Sequence, residues 1–235
     1  MLHQKITTTI KSYISGKLQS FARKEDINNA YNQLAALLQI ERLIHQNTTY
    51  LPLREWAISP DAILIILQEL SYYSDPIVLE FGSGQSTLIM ASYLKKRGCG
   101  KILTVESNKM YADLLMKNLK HQNLHDVVDM QVLNLKNVLD AENNNSSATY
   151  DLQALKTSNK YDVCIIDGPP LQYGALARYY PLEYAINNSS HGGKIFLDDS
   201  KRENERNIID KIRSKYRNIK VSELKAEKGL TMFNV

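Results

Sequence analysis

Two cysteines in 235 residues, Cys99 and Cys164, are too few for a disulfide framework. Cys164 falls inside an apolar strand pattern, so a reduced thiol is expected. No apolar run approaches the roughly 20 residues of a membrane span, and the N-terminus lacks the continuous apolar stretch of a secretory signal. A cytoplasmic location is therefore the expectation. Charge of one sign is also scarce: 29 basic residues against 25 acidic ones give a net charge of +4. The excess lies largely in Lys5, Lys11, Lys17, Arg23 and Lys24, ahead of any acid, and no aromatic-plus-basic reading surface accompanies it. Nucleic acid is thus not an expected partner. There are no internal repeats. What remains is an ordinary globular composition, 43% hydrophobic and 23% charged, long enough for one α/β domain with an extension.

The chain is organised around residues 77–91. Ile77 to Leu79 read as a buried strand ending in Glu80. The turn Gly82-Ser83-Gly84 follows, and an apolar helix begins at about Ser86. A strand, a glycine loop and a helix in this order form the first half of a doubly wound fold, whose ligand lies over the carboxyl ends of the strands. Glycine lets a ligand approach the backbone closely, and Ser86 and Thr87 are suited to cap the new helix.

Before this unit, residues 1–48 read as a helical extension. Ile6, Ile10, Tyr13, Ile14 and Leu18 suggest a short basic helix. From Asp26, a fitting N-cap, Ile27, Ala30, Tyr31, Leu34, Leu37, Leu38 and Ile44 recur at helical spacing. Such a stripe serves as a packed arm, a lid, an anionic-surface contact or a homo-oligomer interface. Residues 49–61 link it to a domain spanning 49–235. There Pro52 and Pro60 keep the chain extended, Ser59 with Pro60 starts a helix over 61–70, and Trp56 covers a ligand or fills a gap.

After the glycine loop the chain alternates. Ile102–Val105 is a strand ending in Glu106, 22 residues beyond Gly84, where a carboxylate suits a vicinal diol. A helix at 109–120, a strand near Val127–Leu133 and a polar loop at 141–149 come next. Tyr161–Ile166 runs into Asp167-Gly168-Pro169-Pro170, and Lys194–Leu197 runs into Asp198-Asp199. A helix at 203–216 and a hairpin of 219–224 with 230–235 close the chain. Seven strands and their helices predict a Rossmann-like doubly wound α/β sheet with a C-terminal antiparallel hairpin. Acids end four of the strands: Glu80, Glu106, Asp167 and the pair Asp198-Asp199. Like charges gathered at one sheet edge ask for a ligand rich in hydroxyls, amines or positive charge.

These motifs resemble class I S-adenosylmethionine-dependent methyltransferases. Leu79-Glu80-Phe81-Gly82-Ser83-Gly84 is similar to that family's first motif, Glu106 to its ribose-binding acid, and Asp167-Gly168-Pro169-Pro170 to its fourth motif. A narrower bacterial group shares Trp-Ala-x-Ser-Pro-Asp (56–61), Gly-Ser-Gly-x-Ser-Thr (82–87), Ala-Arg-Tyr-x-Pro (177–181) and Leu-Asp-Asp-x-x-Arg-x-x-Glu (197–205). The resemblance implies S-adenosylmethionine as cofactor, bound by Ser59, Glu80, Gly82, Ser83, Gly84, Ser86, Thr87, Glu106 and Asp167. It implies Asp167, Asp198 and Asp199 as the catalytic acids. The expected acceptor is a small-molecule or glycan-type hydroxyl, lined by Tyr173, Arg178 and Tyr179, although Arg178 could instead pair with a structural acid.

The lysine base of catechol-type enzymes is replaced by Pro170, leaving Tyr173, His191 and Lys201 as other candidate proton acceptors. Asp167, Asp198 and Asp199 form a candidate cage for a divalent ion such as Mg²⁺. Alternatively, Asp198 or Asp199 caps the helix near 203 or pairs with Arg202. Two rival functions are an NAD-binding oxidoreductase, disfavoured by Thr87 where a small residue is needed, and a non-catalytic adaptor assembled through the N-terminal helices.

Overall fold

The computed structural model describes residues 24–45, 48–49, 57–139, 146–157 and 160–235. Helix α1 occupies 24–43 and α2 Pro60–Leu70. They are followed by β1 (Ile77–Phe81), α3 (Gln85–Arg97), β2 (Lys101–Glu106), α4 (Lys109–His121) and β3 (Val128–Val132). A small antiparallel pair, β4 (Leu135–Leu139) with β5 (Ser146–Tyr150), stands apart from the main sheet. The chain then forms β6 (Tyr161–Ile166), α5 (Tyr179–Asn188), β7 (Ser189–Asp198), α6 (Glu203–Lys215), β8 (Lys220–Leu224) and β9 (Leu230–Asn234).

Seven strands make one sheet in the order β3-β2-β1-β6-β7-β9-β8. The five strands from β3 to β7 run parallel, and β9 joins β7 and β8 antiparallel. The chain builds outward from β1 to β3 and then returns to lay β6 on the other side of β1. The ends of β1 and β6 therefore flank the switch point, where an open α/β sheet binds its ligand.

Strand alternation sends neighbouring side chains into two cores. Val78, Val163, Ile165 and Phe196 pack with α2, α3 and α4 on one face. Leu79, Phe81, Cys164, Ile166, Ile195 and Leu197 pack with α5 and α6 on the other. Burial pushes the Cys164 thiol up to about 12, which keeps it protonated and inert.

Three expectations change. Asp26 lies within α1, which already includes 24 and 25, so it is not an N-cap among the described residues. The stripe Ile27, Tyr31, Leu34 and Leu38 faces outward, whereas Ala36, Ile40 and Ile44 are buried. Ile40 and Ile44 belong to the first core, and Lys96 Nζ donates to the carbonyls of Arg42 and Ile44. The C-terminal part of α1 thus packs on the core of the following domain. The polar loop of 141–149 is also corrected, since 146–149 lie in β5. The basic helix proposed within 1–23, Pro52 and Trp56 lie outside the described residues.

Candidate active site at the strand ends

Two clusters of acids occupy the carboxyl edge of the sheet. The first centres on Glu80, fully buried in β1. Its Oε1 accepts from Ser86 Oγ at 2.6 Å, and its Oε2 from Thr87 Oγ1 at 2.5 Å and Thr104 Oγ1 at 2.8 Å. Burial dominates and raises its pKa to about 7, against the lowering effect of the three hydroxyls. Thr87 Oγ1 also accepts from the Gly84 N–H at 3.0 Å. Glu80, Ser86 and Thr87 therefore tie the glycine loop to the strands beneath it. Both carboxylate oxygens of Glu80 are thus engaged inside the protein, and the side chain is closed to solvent.

The two loop glycines differ. Gly82 has φ +96°, and a Cβ there would stand 2.8 Å from the Gly168 nitrogen, so the close approach of the β1 and β6 ends requires it. Gly168 is equally confined, since its Cβ would collide with the Tyr150 hydroxyl. A Cβ on Gly84 would meet nothing within 4 Å among the described residues. Gly84 borders open space at the helix start. Across from it, Glu106 Oε2 accepts from Ser83 N at 3.3 Å and Ser83 Oγ at 3.1 Å. Its Oε1 accepts from the N–H groups of Ser107 and Asn108 at 2.7 and 2.8 Å. Ser59 is buried, and its hydroxyl donates to Asp61 Oδ1 at 2.6 Å.

The second cluster joins the ends of β6 and β7. Asp167, Asp198 and Asp199 bring carboxylate oxygens within 4.8 Å of one another, a spacing compatible with ligands around one ion. Arg178 already sits among them. Its Nη2 donates to the Asp167 carbonyl at 2.7 Å and Oδ1 at 3.2 Å, and its Nη1 to Asp199 Oδ2 at 3.1 Å and the Asp198 carbonyl at 3.2 Å. Nε reaches the Pro169 carbonyl at 3.3 Å. Arg202 Nη1 adds a 2.7 Å pair to Asp199, and Glu205 lies 3.7 Å from Arg178 Nη1.

Neither Asp198 oxygen forms a hydrogen bond among the described residues, although the Asp199 N–H is near enough to lower its pKa. Burial, then the Asp199 charge, raises Asp198 to about 7. Burial, then the Asp198 charge, holds Asp167 well above the ordinary carboxylate range. The Asp167 side chain is 13% exposed against 6% for Asp199, and both Asp198 oxygens are sealed. Asp167 is the member of this trio that faces outward.

The residues expected to line an acceptor separate. Tyr173 is exposed next to Leu171. The Tyr179 hydroxyl donates to Glu183 at 3.1 Å and is pushed up to about 12 by burial and by that carboxylate. Arg178 is buried behind Asp167, the structural pairing that the sequence left open. Lys201 donates to the Glu227 carbonyl, and His191 sits near the start of β7, at the opposite edge from Asp198. Sequence reasoning missed Thr104, Tyr150 and the serine and threonine of β5. Ser147 Oγ accepts from Leu176 N at 3.1 Å, and Thr149 Oγ1 donates to the Ala177 carbonyl at 2.8 Å, fixing the segment that carries Arg178. The usable signal was hydroxyls alternating along 147–149 ahead of a buried tyrosine.

No protein-family model and no curated protein matches this chain. Solved structures do match. The O-methyltransferase from Bacillus cereus in complex with SAH is 19% identical over 87% of this chain and 90% of that one, with a TM-score of 0.55. An SAH-bound methyltransferase from Podospora anserina is 16% identical over 90% and 94%, at 0.59. An O-methyltransferase from Streptomyces achromogenes in complex with SAM, involved in tomaymycin synthesis, is 15% identical over 85% and 89%, at 0.53. At these identities the likeness is one of fold: a Rossmann-like methyltransferase fold with a C-terminal antiparallel strand pair.

Proposed function

We propose that this chain is an S-adenosylmethionine-dependent methyltransferase acting on a hydroxyl of a small-molecule or glycan-type acceptor. The observation that carries the reading is the switch point, where a Cβ on Gly84 would meet nothing within 4 Å among the described residues and Glu106 bonds the neighbouring Ser83. These residues fit the cofactor: space for close backbone approach, N–H groups at a helix start, and an acid suited to two ribose hydroxyls. The solved structures of this fold with SAH or SAM bound support the same choice.

When bound, the cofactor supplies a methyl group on a sulfonium, transferred by in-line displacement. The chain's own part is to hold and align. Gly82, Ser83 and Gly84 shape the loop, and Glu80, Ser86 and Thr87 fix it from below. Glu106 takes the ribose, and Ser59 supports the entry to α2. Asp167, at the end of β6 and partly exposed, accepts the acceptor proton, with Asp198 and Asp199 behind it. Burial raises the proton affinity of the Asp167 carboxylate, the direction that a general base requires. Tyr173 contacts the acceptor from the rim.

Mg²⁺ is not part of this reading. The carboxylate spacing suits an ion, but two of the three ligands already hold a guanidinium and the third is sealed from water. A second reading, assembly of copies through α1, is favoured by the outward stripe Ile27, Tyr31, Leu34 and Leu38. Light scattering of the full chain tests it, and a monomer removes it.

The principal test is calorimetry with S-adenosylhomocysteine and NAD. The demethylated cofactor should bind and NAD should not. Gly84→Val should abolish binding while leaving the unfolding midpoint near wild type. Glu106→Ala should weaken binding by about 1–3 kcal/mol, because the ribose hydroxyls lose a charged acceptor. Tight NAD binding with no response to S-adenosylhomocysteine refutes the reading.

A further inference from the structure

The narrow part of the strand-end site is a cation already built into the chain. Arg178 follows a segment that cannot easily shift. A Cβ on Gly174 would lie 2.5 Å from Ser147 Oγ, and β5 holds residues 176 and 177 through Ser147 and Thr149. The guanidinium emerges from this clamp, 5% exposed, and spends its donors on the carbonyls of Asp167, Pro169 and Asp198 and on the carboxylates of Asp167 and Asp199. Arginine suits this position because its planar fork reaches two carboxylates at once and stays charged at any ordinary pH.

A divalent ion would need the same oxygens. Hard cations take oxygen ligands at about 2.0–2.6 Å, and Mg²⁺ keeps several of its waters. Here one oxygen of Asp167 and one of Asp199 already face a guanidinium nitrogen near 3 Å, and Arg202 adds a second positive group on Asp199. Asp198, the remaining ligand, has both oxygens closed to solvent, so no hydrated face is left there for an ion. An ion placed among the three acids would sit against Arg178 as a like charge.

We propose that Arg178 is the permanent cation of the Asp167–Asp198–Asp199 site, standing where a divalent ion would otherwise bind, so that this site operates without metal. Arg178 is then a positioning residue. It fixes Asp167 at the site edge through a side-chain and a main-chain bond, while Arg202 and Glu205 complete the ion-pair network behind it. The proposal rests on the methyltransferase reading only for its turnover arm; its metal-binding arms stand without it.

The test titrates Mn²⁺ into the full-length chain and follows the free-ion signal by electron paramagnetic resonance. Wild type should show no site tighter than about 1 mM, weaker than the calcium sites of extracellular modules. Arg178→Ala removes the resident cation and leaves the acids. It should gain at least about tenfold in Mn²⁺ affinity, and Mn²⁺ or Mg²⁺ should raise its melting temperature by linkage. Arg178→Lys keeps the charge and should gain no such affinity. A merely structural arginine would give no metal affinity on removal. If Arg178→Ala is insoluble, Arg178→Gln takes its place, with similar reach and no charge.

One Mn²⁺ bound per wild-type chain at tens of micromolar or tighter, and lost in Asp198→Asn, overturns the proposal. So does a neutral variant that binds no more tightly than wild type. Turnover of a methyl acceptor in excess EDTA should equal that with Mg²⁺ added, and activity restored only by metal also overturns it. A protein that binds no S-adenosylmethionine contradicts the proposed function instead, and leaves the Mn²⁺ result to decide this point.

Discussion

Two buried carboxylate sites stand at adjacent ends of one sheet and are satisfied by opposite means. At the end of β1, Glu80 takes three neutral hydroxyls and every oxygen has a donor. At the ends of β6 and β7 the pairing is uneven: Asp199 meets two guanidiniums, Asp167 shares one of them, and Asp198 forms no hydrogen bond among the described residues. The even site closes on itself and holds a loop in place. The uneven one keeps a partly exposed acid next to unbalanced charge, the condition under which a carboxyl is free to take a proton. Position at a strand end therefore does not by itself mark a chemical group. Between these two sites the sealed and evenly paired Glu80 fits a scaffold acid, and the partly exposed Asp167 is the one proposed to work.

Removing a partner breaks the comparison most strongly at the charged site. Arg178→Ala should destabilise the fold by about 3–5 kcal/mol at pH 8, because it leaves buried carboxylates without their cation. The loss should shrink toward pH 5 as those carboxyls take up protons. Urea unfolding at both values checks this. A cost below about 1 kcal/mol at pH 8 would place the network among exposed pairs, despite its burial.

How much of this was legible in the sequence follows the same division. Short apolar runs ending in an acid, as at Ile77–Glu80, Ile102–Glu106 and Tyr161–Asp167, mark buried parallel strands because both faces are covered. The strand ending in Asp198 reads the same way, whereas β3 was legible from its apolar content alone and β8 with β9 as a closing antiparallel hairpin. The pair β4–β5 was not legible. Its buried residues include Ser147 and Thr149, placed there to bond the segment before Arg178 rather than to bury apolar area, so no hydrophobic period announces them. Ser86 and Thr87 were legible as helix-start residues, but the bonds that both donate to Glu80, joined there by Thr104 of the neighbouring strand, are made only in the fold. The stripe of α1 leaves a packed arm, a lid and an interface all open in the sequence, because helical spacing identifies an apolar face without saying what covers it. The acid trio was legible as a group. Its arginine, eleven residues beyond Asp167, became part of it only once α5 was in place.

The second prediction addresses the even site through pH. Glu80 has its folded pKa raised from 4.5 to about 7, so the folded chain holds this proton more tightly than the unfolded one. Stability tied to that proton is fully present below about pH 4.5 and is lost as pH rises through 7. The gap corresponds to about 3 kcal/mol. Glu80→Gln cannot ionise and should lack this contribution. The difference between wild-type and variant unfolding free energies, measured from pH 4.5 to 8, should change by that amount, and Asp198, common to both proteins, cancels. A difference independent of pH would show that folding leaves the Glu80 pKa unshifted.

The smallest expected effect comes from Thr104, buried in mid-strand with its hydroxyl 2.8 Å from Glu80 Oε2. Valine matches its shape and deletes one donor. Oε2 keeps the bond from Thr87, so no oxygen is orphaned, and the cost should be about 1 kcal/mol, the value of one bond rather than of an unpaired group. Because that hydroxyl lowers the Glu80 pKa, its loss should push the pKa further up and extend the fall in stability beyond pH 7. Thr104 lies below the loop and Thr87 still ties Gly84, so affinity for S-adenosylhomocysteine should stay within about threefold of wild type, less than 1 kcal/mol. Paired urea and calorimetric titrations of Thr104→Val at pH 7 and 8.5 separate the outcomes. Unchanged stability with a tenfold loss of affinity would mean that the Glu80 cluster serves the ligand directly, and the contrast between a scaffold acid and a working acid would fail at its simpler end.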